Sequence, residues 1–134
     1  MNTEYNGKLL PITLSTVVLD CRDIAALSDF YIRLLGWEKS YEETEEWIDI
    51  SSPSGGVKIA FQRNDDYVPP VWPDEPAAQQ QMVHLDFAVN SHEQMNIAVR
   101  HAVSCGAVKA AAQYDEDKWT TMLDPEGHPF CFVC

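Results

Sequence analysis

Two segments of this 134-residue chain share a pattern that leaves few folds open. Trp47-Ile-Asp-Ile-Ser-Ser-Pro53-Ser-Gly55 is followed 72 residues later by Trp119-Thr-Thr-Met-Leu-Asp-Pro125-Glu-Gly127. In both, Pro stands six places after the Trp and Gly two places after the Pro. Pro presets one turn dihedral and Gly permits a positive one, so each segment reads as a strand running into a tight turn. The helical signals repeat too. Leu27, Phe30, Tyr31, Leu34 and Leu35 form one apolar stripe; Met95, Ala98, Val99, Ala102 and Val103 form another with the same spacing, 68 residues on. Asp23 and Ser91 stand at N-cap positions, and Gln94 completes a capping box with Ser91. Gly36 and Gly106 end the two helices. An offset that grows from 68 to 72 puts the insertions near Gly106 and in residues 114–117, between elements.

The chain therefore divides into an N-terminal tail (1–11), a first βαβββ unit (12–63), a linker (64–81) and a second βαβββ unit (82–134), together one structural domain. Strands are expected over 12–20, 37–43, 46–51 and 56–63 in the first unit. In the second they are expected over 82–89, 107–113, 118–123 and 128–133. The linker holds Pro69, Pro70, Pro73 and Pro76, which forbid a regular helix or central strand. Its Tyr67 and Trp72 mark a loop packed onto the domain, either as a lid or as a surface attachment.

Composition removes several function classes. A hydrophobic content of 46% supports a packed core. A formal charge of −12 argues against nucleic acid or an anionic membrane as partner, since phosphate contacts need Lys and Arg clusters. No run approaches the ~18 apolar residues of a membrane span. The first eight residues lack an apolar signal core, so a reduced, cytoplasmic setting is expected. Of the cysteines, only Cys131 and Cys134 are spaced like a metal or redox pair, at the very end of the chain. There is no phosphate-cradling glycine loop and no Ser-His-Asp spacing.

The duplication resembles the vicinal oxygen chelate superfamily, which includes glyoxalase I, bleomycin-resistance proteins and extradiol dioxygenases. Local motifs carry the likeness: Leu19-Asp20-Cys21-Arg22-Asp23 before the first helix, Phe30-Tyr31 within it, and Leu35-Gly36-Trp37 after it. His84-Leu85-Asp86, Asp124-Pro-Glu-Gly-His-Pro-Phe-Cys131 and the Pro-Pro-x-Trp-Pro loop complete the set. Together they are similar to the glyoxalase-like branch, over roughly residues 12–133. The resemblance implies an α+β fold. Tandem βαβββ modules would form a curved, partly open eight-stranded sheet around a cavity, with the helices outside.

Metal-using members of that superfamily take ligands from the first and last strand of each unit. Carried over, the four positions are Thr16, Ala60, His84 and Cys131. Ala cannot ligate and Thr is a poor ligand, so the resemblance implies that the usual metal chemistry is lost. No cofactor is then expected; a divalent metal, if held, would fall on His84, Cys131 and Gln62, the last sharing a strand face with Ala60. The candidate ligand-binding residues are Thr16, Trp47, Gln62, His84, Asp86, Trp119 and Cys131. His84 reads either as a pocket-lining or core histidine or, beside Asp86, as an acid/base candidate. Asp86 is either its partner or a solvated strand-end carboxylate. Trp47 and Trp119 are core residues or a pair of aromatic walls. Cys131 is a small buried hydrophobe or a ligand. His92, His101 and His128 are expected to be exposed. The leading expectation is a homodimeric protein that binds a small apolar or aromatic molecule without a metal centre. The alternative is a metal-dependent or acid/base lyase, isomerase or dioxygenase.

Overall fold

The computed structural model describes residues 4–5 and 7–134. Each unit contributes one helix and four strands. The first unit runs β3 (Thr16–Cys21), α1 (Ile24–Leu35), β4 (Glu38–Glu43), β5 (Trp47–Ser51) and β6 (Lys58–Arg63). The second runs β7 (Leu85–Ala88), α2 (His92–Cys105), β8 (Val108–Lys109), β9 (Trp119–Leu123) and β10 (Pro129–Val133). The eight strands divide into two four-stranded sheets of equivalent order, β3-β6-β5-β4 and β7-β10-β9-β8, and neither closes into a barrel. In each, the first strand pairs parallel with the last and the remaining pairs are antiparallel. The expected tail falls partly outside the described residues. Within it, β1 (Glu4–Tyr5) and β2 (Lys8–Leu9) form a small antiparallel ribbon.

The helix ends form as their caps dictate. Asp23 accepts from the Ala26 amide at 3.0 Å, and Ser91 Oγ accepts from the Gln94 amide at 3.1 Å. Gln94 reaches back to the Asn90 amide at 3.0 Å, one residue before the cap. Both helices end on a left-handed glycine, Gly36 and Gly106. Helices α1 and α2 touch one another, and each packs on the sheet of its own unit. Arg33 ties them by donating to the Cys105 carbonyl at 2.9 Å.

Alternation along the strands turns one face of each sheet to this shared core and leaves the other open. Tyr31 sits at the centre, stacked on Phe61 at 5.6 Å and meeting Phe130 at 6.2 Å, so its contacts join the two units. The second stripe is corrected at one position. Val103 is 51% exposed, and Cys105 takes the buried place. The buried line runs through Met95, Ala102 and Cys105, so the last turn faces the core three residues on from Ala102, two past Val103. The expected strands over 12–20 and 82–89 begin later than their apolar content indicates. Ile12 (77% exposed), Leu14 (68%) and Met82 (82%) precede the ladders and lie on the surface.

Candidate functional site

Strand β7 points Leu85 and Phe87 toward the core and Asp86 to the open face of the second sheet. Register then sets Asp86 opposite Cys131, and Cys131 opposite Thr121, in one row across three strands. His84, two residues before Asp86, brings Nε2 to 3.3 Å from Asp86 Oδ1. Among the described residues, His84, Asp86 and Cys131 form a cluster whose donor atoms all lie within 4.8 Å of one another. Burial pushes the Cys131 thiol above its ordinary value. The Asp86 charge adds to the rise, and a hydrogen bond from Thr121 opposes it. Cys131 therefore stays protonated unless a cation displaces the proton. Cys134 is exposed while Cys131 is buried, and both are free thiols.

Above this row lies a cavity of about 270 Å³. Trp72, Tyr114 and Trp119 line it together with Pro129, and Gln81, His84, Thr121 and Cys131 supply its polar groups. Trp72 meets Tyr114 edge-on, with ring centroids 5.9 Å apart. Trp72 and Gln81 come from the Pro-rich linker, which is strapped to the second unit. Tyr67 donates from its hydroxyl to the Glu126 carbonyl at 2.9 Å and stacks on His128 at 5.1 Å.

The candidate residues separate into two places. His84, Trp119 and Cys131 line the one cavity, with Asp86 beside His84. Thr16, Trp47 and Gln62 lie on the open face of the first sheet. There, Trp47 Nε1 donates to Asp49 Oδ1, and Lys58 Nζ lies 3.3 Å from Asp49 Oδ2. Ala60, the counterpart of Cys131, is fully buried beside Asp49. Gln62 is on the other sheet from the donor cluster, in which Asp86 is the third member. Tyr114, Gln81, Thr121 and Pro129 were not singled out from sequence. Thr121 had a usable signal, because pairing the two final strands through the Asp-Pro-Glu-Gly turn sets it opposite Cys131. Tyr114, in the loop before β9, had none.

His128 is buried rather than exposed. Its Nδ1 lies 2.8 Å from Asp124 Oδ2 and its Nε2 2.8 Å from the Asp20 carbonyl. Tyr31 donates to the same Asp124 carboxylate at 2.7 Å. Isolated turn composition reads as solvent-facing; only the docking of β3 against the turn supplies the second acceptor. A larger groove of about 440 Å³ lies between this histidine, β3 and the strap. It is half polar, carries Asp20 and Asp66, and contains none of the donor cluster. The smaller cavity is the one that carries the aromatic walls and two members of the donor cluster, His84 and Cys131.

A family model described as a glyoxalase-like domain matches residues 16–133. Comparison with curated proteins finds no match. Solved structures share the fold. A glyoxalase/bleomycin resistance protein/dioxygenase family enzyme from Burkholderia phytofirmans PsJN is 21% identical, with 90% of this chain and 97% of that one covered at a TM-score of 0.69. A possible glyoxalase from Bacillus cereus is 14% identical, with 92% and 99% covered at a TM-score of 0.68. A mutant of the fosfomycin resistance protein FosX from Listeria monocytogenes, complexed with Mn(II) and dihydroxypropylphosphonic acid, is 12% identical. It covers 92% of this chain and 90% of its own at a TM-score of 0.67. Among the described residues, no helix is long and apolar enough to cross a membrane.

Proposed function

Because the chain belongs to the glyoxalase-like domain family, whose fold frames a cavity against an open sheet face, we propose that it binds a small planar apolar or aromatic molecule without requiring a metal. The observation that carries this reading is the cavity walled by Trp72, Tyr114 and Trp119. Aromatic faces hold a planar ligand by area burial and by offset or edge contacts worth about 0.5–1.5 kcal/mol per pair. His84, about half exposed and paired with Asp86, gives the cavity a polar edge that orients the ligand. The four free thiols accord with a reduced, cytoplasmic setting. A homodimer belongs to the same reading. Exposed Ile12, Leu14, Met82 and Val83 offer apolar surface for a second copy. A thermal-shift screen with planar aromatic compounds tests the proposal. A binder at 100 times its Kd stabilises the fold by about 2.7 kcal/mol, and Trp119→Ala abolishes that shift. If no aromatic compound raises Tm, the reading fails.

A second reading has its own support in the His84, Asp86 and Cys131 cluster. An imidazole, a carboxylate and a thiol match the three protein ligands of a catalytic zinc site. A bound divalent ion would supply Lewis-acid polarisation of a ligand oxygen. His84 and Asp86 would hold it, and Cys131 would join them after losing its raised proton. Without a metal, the His84–Asp86 pair is the candidate for moving a proton in a lyase or isomerase step. Elemental analysis of protein purified without chelator separates the readings. Near-stoichiometric Zn, Ni, Mn or Fe that disappears in His84→Ala establishes the second and removes the metal-free clause of the first.

A further inference from the structure

Two residues that line the cavity each carry a polar atom with nothing to bond. Trp72 Nε1–H and Gln81 Oε1 are shielded from solvent and have no hydrogen-bond partner among the described residues. Orphaned buried polar groups are rare in folded proteins because each forfeits its bond to water without replacement. One is a donor only and the other an acceptor, and both residues line the same cavity. Their segment is not loosely placed. Tyr67 anchors its start to the Glu126 carbonyl, Val71 N donates to the Gln79 carbonyl at 2.9 Å, and Gln79 Nε2 donates to the Gln80 carbonyl at 3.0 Å. The strap satisfies these neighbouring groups and leaves two unpaired, both on residues that line the cavity.

We propose that this pair reads the ligand: the cavity selects an uncharged one- or two-ring aromatic compound that offers a carbonyl-type acceptor to Trp72 and an N–H donor to Gln81, as aromatic lactams do. The inference rests on the aromatic-ligand reading above and adds the polar half of the recognition. No Lys or Arg lines the cavity, so an anion would find no permanent counter-charge there, only His84 when protonated. A simple alkylammonium ion offers nothing to the Trp72 donor. The volume of about 270 Å³ falls just below the ~300–1,000 Å³ of cavities that hold drug-sized ligands, which limits the ring count. The Gln81 carboxamide turns about a soft terminal torsion, so its oxygen can follow the ligand donor. A site built to pair with polar groups rejects an analogue that lacks them, because the orphaned atoms stay unpaired.

The test uses 2-quinolone, N-methyl-2-quinolone and naphthalene as probes, with binding and the tryptophan indole N–H resonances followed by NMR. Trp72→Phe assigns the Trp72 signal. The expected result is that 2-quinolone shifts the Trp72 indole proton and binds at least about tenfold tighter than naphthalene. N-methyl-2-quinolone loses the part of that preference owed to Gln81. In Trp72→Phe and Gln81→Met the lactam falls toward naphthalene; should either variant fail to fold, the three probes on the unaltered protein still decide. If naphthalene binds as tightly as the lactam while shifting the Trp119 signal, the hydrogen-bond inference is overturned and the aromatic-ligand reading stands. If none of the probes perturbs Trp119, both fall. A Trp72 indole proton that is already bonded in the free protein, and unmoved by the lactam, also overturns the inference.

Discussion

His128 faces an acceptor at each ring nitrogen: the Asp124 carboxylate and the Asp20 carbonyl. Both nitrogens must donate to satisfy that arrangement, and only the imidazolium does so. Burial works against the charge, but the hydrogen bond and charge of Asp124, with the Asp20 carbonyl and Glu126, outweigh it and raise the pKa. A folded-state pKa above the unfolded one adds stability that is complete below the unfolded value, about 6.5, and is lost as pH rises through the folded value. Chemical denaturation should therefore show stability falling as pH rises from about 6.5. His128→Gln should flatten that slope and cost roughly 3 kcal/mol at pH 6, because it removes the charge partner of the buried Asp124. Cys21 acts with the same sign at higher pH. Burial first, then the charges of Glu126 and Asp124, push its thiol up to about 12, so stability keeps falling above the unfolded thiol value of about 8.5. The two turn glycines separate strain from contact. Gly55 and Gly127 both have positive φ, 81° and 88°, but only at Gly127 would a Cβ meet a neighbour, Pro69 Cβ at 3.1 Å. Gly127→Ala should cost more than Gly55→Ala in equilibrium unfolding, by about 1 kcal/mol.

At the scale of elements, the two helices carry unequal shares of the core. Helix α1 buries Leu27, Phe30, Tyr31 and Leu34, whereas α2 buries Met95, Ala102 and Cys105. Met95 is 1% exposed and its sulfur accepts from Thr120 Oγ1 at 3.1 Å. Met95→Ala should cost about 2–5 kcal/mol. Val103→Ala, on the solvent side of the same helix, should stay within about 0.5 kcal/mol. Equal costs measured at the two sites by urea unfolding would contradict the observed rotation of α2. The strap is the element with most bearing on function, since it supplies Trp72 and Gln81 to the cavity wall and is itself held by Tyr67.

For the whole molecule, the sheets place the candidate residues on two open faces, and one face alone provides the aromatic cavity. The proposed second copy would cover the apolar surface around Ile12, Leu14, Met82 and Val83. Sedimentation should then give twice the 15.1 kDa chain mass. With each copy at −12, association should strengthen as salt screens the repulsion. Met82→Asp, at a site 82% exposed, should shift the equilibrium to monomer without lowering the unfolding midpoint of the monomer itself. A monomer at all salt concentrations would remove the homodimer from the proposal.

The paired βαβββ order was legible because it is written in local chemistry: two apolar stripes, two caps, two C-terminal glycines and two Pro-x-Gly turns. Each of these acts within a few residues, so the sequence by itself determined the elements and, through their repetition, the fold class. Counting from those same markers singled out Cys131 and His84, which the structure brings to one cavity. What the tertiary structure decided involves partners distant in the chain. Asp20 and Asp124, 104 positions apart, meet on opposite sides of His128 and bury a surface-like histidine between two acceptors. Trp72, Tyr114 and Trp119 become three walls of one cavity only because the strap folds back over β9. Register, not composition, makes Asp86 the companion of Cys131 and leaves Gln62 on the other sheet. Hydrogen-bond register and loop docking depend on which distant surfaces meet, and that is fixed only when the two units close over their shared core.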